Sequence, residues 1–123
     1  MPVIRPASMV AALLLLLLAS AHAGAHAFLE RAEPRVGSTV KAQPAQVRLW
    51  FTERLEPAFS WVKVMDGSGK QVDRGDARVD PANALLLTVS VPPLPPGTYR
   101  VIWRVLSVDT HVTEGDFTFR LAP

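Results

Sequence analysis

The chain has 123 residues, 13 Lys and Arg against 11 Asp and Glu, and a formal net charge of +2. Its near-neutral balance and scattered arginines give no argument for a nucleic-acid partner. It contains no cysteine, which excludes disulfide staples, thiolate copper or iron–sulfur centres, and a cysteine nucleophile.

The first 25 residues read as a secretory signal. Arg5 supplies a weak positive start, and Val10–Ala19 is apolar around an unbroken Leu13–Leu18 run. Small-residue cleavage frames follow in A-H-A-G-A-H-A, residues 21–27. The apolar run is about ten residues, short of the ~20 that span a membrane. The expected product is therefore an exported chain that is soluble and has no spanning segment. Cutting after Ala25 leaves His26–Pro123, one domain of 98 residues and formal charge +1, because only Arg5 is lost. Cutting after Ala23 leaves Gly24-Ala25-His26 at the start, and signal rules alone do not separate these two frames.

Beyond the signal, the hydropathy has a period of two. Phe28–Ala32 is a short first strand. Val47, Leu49 and Phe51 alternate with Arg48 and Trp50, and Phe59–Met65 is a further apolar strand. Leu85, Leu87, Val89 and Val91 alternate with Leu86, Thr88 and Ser90. Tyr99, Val101, Trp103 and Val105 alternate with Arg100, Ile102 and Arg104. Phe117, Phe119 and Leu121 alternate with Thr118 and Arg120. Alternation of this kind marks strands with one face on a core. Turn-forming clusters separate them, among them Glu33-Pro34, Asp66-Gly67-Ser68-Gly69, Asp80-Pro81 and Pro92–Gly97. No stretch reads as a helix. The expected class is all-β, a small Greek-key sandwich or barrel. The seven arginines from Arg48 to Arg120 are expected on solvent faces, and the three tryptophans in core or cross-strand packing.

Two histidines survive cleavage, His26 and His111. An N-terminal His26 offers its α-amine and imidazole as a chelating pair. Asp109-Thr110-His111 adds a carboxylate and a second imidazole. If extended, that D-x-H would put both side chains on one face. Ser107 breaks the apolar run before it, so a strand end or loop is the expected setting. The resulting N3O donor set suits a tetragonal Cu(II), with tetrahedral Zn(II) as the competitor. A Gly24 start would instead chelate copper locally, without the D-x-H.

From His26 onward the chain resembles the CopC family of periplasmic copper-binding proteins, YobA-like members included. The likeness is carried in order by H-A-F-L-E-R-A-E-P (26–34), V-R-L-W-F-T-E (47–53), P-G-T-Y-R-V-I-W-R-V-L-S-V-D-T-H (96–111) and G-D-F-T-F (115–119). It implies a cupredoxin-like (Ig-like), seven-stranded Greek-key domain over 26–123. It also implies one Cu(II) per chain on His26, Asp109 and His111, with Glu53 close outside the ligands. The protein would be a monomeric copper-homeostasis protein rather than an enzyme, sequestering copper or passing it to a CopD-like inner-membrane partner. Some members carry a Met-rich Cu(I) site. Here the matching segment, residues 64–85, holds Met65 alone and no histidine, so no Cu(I) site is expected. Two other readings compete. One is a metal-free interaction module. The other is a small oxidase with a similar N-terminal histidine site, disfavoured because an anionic Asp109 would stabilise Cu(II) over Cu(I).

Overall fold

A computed structural model describes residues 27–123. The expected signal, residues 1–25, and His26 lie outside the described residues. The strands are β1 (Leu29–Glu33), β2 (Thr39–Val40), β3 (Gln46–Phe51), β4 (Trp61–Met65), β5 (Arg78–Asp80), β6 (Asn83–Ser90), β7 (Gly97–Leu106) and β8 (Val112–Leu121). They form two four-stranded sheets, ordered β1-β3-β6-β5 and β2-β8-β7-β4. The expected all-β sandwich is thus borne out, as two open sheets and not a closed barrel. Among the described residues eight strands are distinguished, of which β2 has two residues and β5 three. All pairings are antiparallel except β2 with β8.

Only β5–β6 and β7–β8 are hairpins within one sheet; the other connections cross between sheets. This crossing puts the inner faces opposite each other. Val47, Leu49, Phe51, Leu87 and Val89 from one sheet meet Val62, Val64, Val101, Val105 and Phe119 from the other, all at 1% exposure or less. Each such side chain contributes about 1.5–3 kcal/mol on burial. With no disulfide, this packing carries the fold.

The period-two reading matches most of these residues. β3, β7 and β8 bury the expected alternate positions, and the arginines from Arg48 to Arg120 are exposed or half-exposed. Two local readings change. Phe59 lies in a short 3₁₀ turn, Pro57–Phe59, and is exposed; the strand starts at Trp61. In β6, Leu86 is buried at 4% although it belongs to the outward set, while Leu85 is only half-buried. Leu86 pairs with Trp50 on the outer face. There the Arg31 and Arg48 guanidinium groups lie 3.9 and 4.9 Å from the Trp50 ring centroid. Trp50 therefore serves outer-face, cross-strand packing. Trp103 is partly buried against the core, with its ring 6.2 Å from Phe51 and 6.0 Å from Phe117. Among the described residues, no helix is long and apolar enough to cross a membrane.

Candidate metal centre at one end of the sandwich

The β7–β8 hairpin carries the D-x-H motif in its turn. β7 ends at Leu106 because the next inward position is Ser107, a fully buried hydroxyl that needs polar partners. It finds them in the turn. Its Oγ accepts the His111 N–H at 3.2 Å and reaches the His111 carbonyl at 3.4 Å. The Ser107 backbone N–H also donates to the His111 carbonyl at 3.0 Å, and Thr110 N–H donates to the Ser107 carbonyl at 2.9 Å. Asp109 and Thr110 thus lie in a closed turn, as the strand-end reading expects, and not on an extended strand.

Thr110 takes a left-handed backbone, φ 70°, which is costly for a β-branched residue. It separates the two candidate ligands. Asp109 is exposed on the turn. His111 is half-buried on the inward phase of β8, with Nδ1 closed to solvent.

A second segment packs beside this turn. After β3 the chain runs through Thr52, Glu53 and Arg54. The Arg54 carbonyl accepts Val108 N–H at 3.0 Å, Leu55 bridges Ser107, and Glu56 N–H donates to the Leu106 carbonyl at 2.8 Å. Glu53, half-buried, sits in this segment beside the hairpin turn.

The third segment is the start of the described chain. Ala27 is buried, at 1% exposure. Its carbonyl accepts the Thr113 hydroxyl at 2.7 Å. Phe28 N–H donates to Thr52 Oγ1 at 2.9 Å, and Thr52 N–H donates to the Phe28 carbonyl at 2.9 Å. Residues 27–28 are thereby held between Thr52 and Thr113, two residues from His111.

Three segments that carry expected ligands, or adjoin one, therefore meet at one end of the sandwich. His26 itself lies outside the described residues. Among the described residues no group of three or more His, Cys, Asp and Glu side chains gathers as a metal site, and Asp109 and His111 are the two expected donors within them. Both are nitrogen or oxygen donors of the kind Cu(II) and Zn(II) accept. Thr52 and Thr113, which frame the site with Ser107, do not stand out in the sequence as Asp109 and His111 do. Thr113 carries one signal, a polar residue on the phase of β8 that buries Phe117, Phe119 and Leu121.

Met65, alone in its segment, is half-buried. It lines a surface hollow of about 330 Å³ with Asp66, Thr98 and Arg100. This is rim packing of the kind methionine often provides.

The comparisons with known proteins agree with this fold. A family model described as the CopC domain matches residues 29–122. The chain is 38% identical over 108 residues to copper resistance protein C of Xanthomonas campestris pv. juglandis, covering 83% of this chain and 84% of that one. It is 33% identical over 98 residues to the copper transport protein CutJ of Bacillus subtilis, covering 79% of this chain but 18% of CutJ. The chain thus matches less than a fifth of that relative's length. Among solved structures, CopC from Methylosinus trichosporium OB3b aligns with a TM-score of 0.71 and 37% identity, over 80% of this chain and 95% of that one. With a matching domain model across nearly the whole described chain, and relatives above 30% identity over most of it, the chain belongs to the CopC family.

Proposed function

We propose that this chain is a periplasmic copper-binding protein of copper resistance or transport. After removal of residues 1–25 it binds one Cu(II). His26 contributes its α-amine and imidazole, Asp109 its carboxylate and His111 its imidazole, with Glu53 just outside the ligands. The observation that carries this reading is the bond between Thr113 and the Ala27 carbonyl, 2.7 Å. It holds the residue next to His26 close to the hairpin turn that bears Asp109 and His111. Relatives named for copper resistance and copper transport support the metal.

The role is binding and delivery rather than catalysis. An anionic ligand beside three nitrogens favours the divalent ion, which suits storage and transfer. The single thioether of Met65 cannot make a soft Cu(I) site. Acting as a monomer, the protein sequesters copper or passes it to a CopD-like inner-membrane partner.

Native mass spectrometry of the protein recovered from the periplasm, with one equivalent of Cu(II), tests this. The expected result is a chain beginning at His26 with one copper retained. A His26 start that takes up no copper refutes the reading and leaves a metal-free interaction module.

A further inference from the structure

Residues 27 and 28 precede the β1–β3 ladder, whose first pair is Leu29 with Phe51. A segment ahead of a ladder is held only where specific contacts tie it down. Ala27 is 1% exposed, and the two residues are tied on both sides by threonine hydroxyls. Thr113 Oγ1 donates to the Ala27 carbonyl at 2.7 Å, and Thr52 Oγ1 accepts Phe28 N–H at 2.9 Å. The two threonines come from different sheets: Thr52 follows β3, and Thr113 belongs to β8. The N-terminal segment is therefore pinned across the mouth of the sandwich.

Thr113 is the more telling of the pair. It is half-buried, on the phase of β8 that places Phe117, Phe119 and Leu121 in the core. A hydroxyl in that register costs free energy unless it is bonded. Valine would fill the same volume without that cost, so the hydroxyl has a use beyond filling space.

We propose that Thr113 is a positioning residue for copper binding, with Thr52 as its counterpart on the other sheet. Together they hold the backbone of residues 27 and 28 beside the Asp109–His111 turn before the metal arrives. Preorganisation of this kind raises affinity by removing an ordering cost from the binding step. The proposal rests on the copper reading above, and the test separates the two.

The full chain is expressed, exported and recovered from the periplasm as wild type, Thr113→Val, Thr113→Ser and Thr52→Val. Cu(II) affinity is measured by competition with a chelator of known strength, the ligand set by electron paramagnetic resonance, and Tm on the metal-free protein. Loss of one hydrogen bond predicts about fivefold weaker binding for T113V. Its nitrogen hyperfine pattern should also change, and T113S should restore both. A purely structural role would lower the metal-free Tm and leave affinity and spectrum as in wild type; that result overturns the proposal. If T113V does not survive export, T52V decides: weaker binding with an altered spectrum supports the clamp, and wild-type behaviour overturns it. A wild type that binds no Cu(II) overturns the copper reading and the clamp's role with it. A wild type that binds while the valine variants match it overturns the clamp alone.

Discussion

The indole of Trp103 lies across Gly115, its partner on β8. A Cβ at position 115 would stand 2.3 Å from Trp103 Cζ2 and 2.8 Å from Cη2. The glycine in G-D-F-T-F is therefore a packing requirement, since the ring occupies the space a side chain would take. Trp103 has little room to move away, because its ring contacts Phe51 and Phe117 on the core side.

Gly115→Ala should destabilise the fold by about 1–3 kcal/mol, the usual cost of overpacking. The corresponding fall in Tm is several degrees in a domain of this size. The loss should shrink in a Trp103→Phe background, where the colliding ring atoms are gone; a double-mutant cycle reads that coupling. Thermal melts that give G115A the wild-type Tm would show that the indole repacks freely.

The single tyrosine, Tyr99, allows a clean alkaline test. It is 3% exposed, stacks on Phe119 with ring centroids 5.6 Å apart, and donates its hydroxyl hydrogen to the Pro95 carbonyl. Burial, and then the negative charge of Asp66, push its phenol above the ordinary value of 10.0. The folded phenol therefore keeps its proton where the unfolded one has lost it. Its contribution to stability is intact below about pH 10 and drains away as pH rises through the folded value. Tyrosinate absorbance should titrate above pH 10 in the native protein. Tyr99→Phe should cost about 1 kcal/mol at neutral pH and flatten the alkaline loss of stability. A native titration at or below pH 10 contradicts the burial argument.

Thr110 is a place where local preference yields to the turn. Its left-handed backbone, φ 70°, is one that asparagine adopts readily and a β-branched residue does not. Thr110→Asn should therefore raise metal-free stability by about 1 kcal/mol, read as a higher midpoint in denaturant with an unchanged slope. An unchanged or lower midpoint would mean that the Thr110 hydroxyl, which donates to the Asp109 carbonyl at 2.6 Å, offsets the backbone cost.

What the sequence made legible follows from period and polarity. Val47, Leu49 and Phe51, or Phe117, Phe119 and Leu121, declare their inward face because every second residue is apolar. Leu86 does not, since its burial comes from pairing beside Trp50 on the outer face, a tertiary event no local pattern encodes. Phe59 looked like strand because it is aromatic, yet the Pro57 before it starts a 3₁₀ turn. At the candidate site, Asp109 and His111 stood out by residue type. Thr52 and Thr113 did not, because a hydroxyl declares its role only once its partner, 86 residues away in the case of Thr113 and Ala27, is beside it.

Two substitutions grade the ligands and separate two copper chelates. In the proposed site His111 bonds the metal and Glu53 stands outside it. Glu53→Gln should then weaken Cu(II) by about 10-fold, within the range typical of groups that orient ligands. His111→Ala should weaken it by about 100-fold or more, beyond that range. Processing one frame earlier, at Gly24, would give a local chelate from the free amine, two backbone amides and His26. That chelate owes nothing to the hairpin, so neither substitution would change its affinity. Chelator competition on both variants, with the N-terminus of each checked by intact mass, tells the two apart. Equal, wild-type affinity in H111A would remove His111 from the metal site. A graded loss, larger for His111 than for Glu53, ties the metal to the turn closed by Ser107.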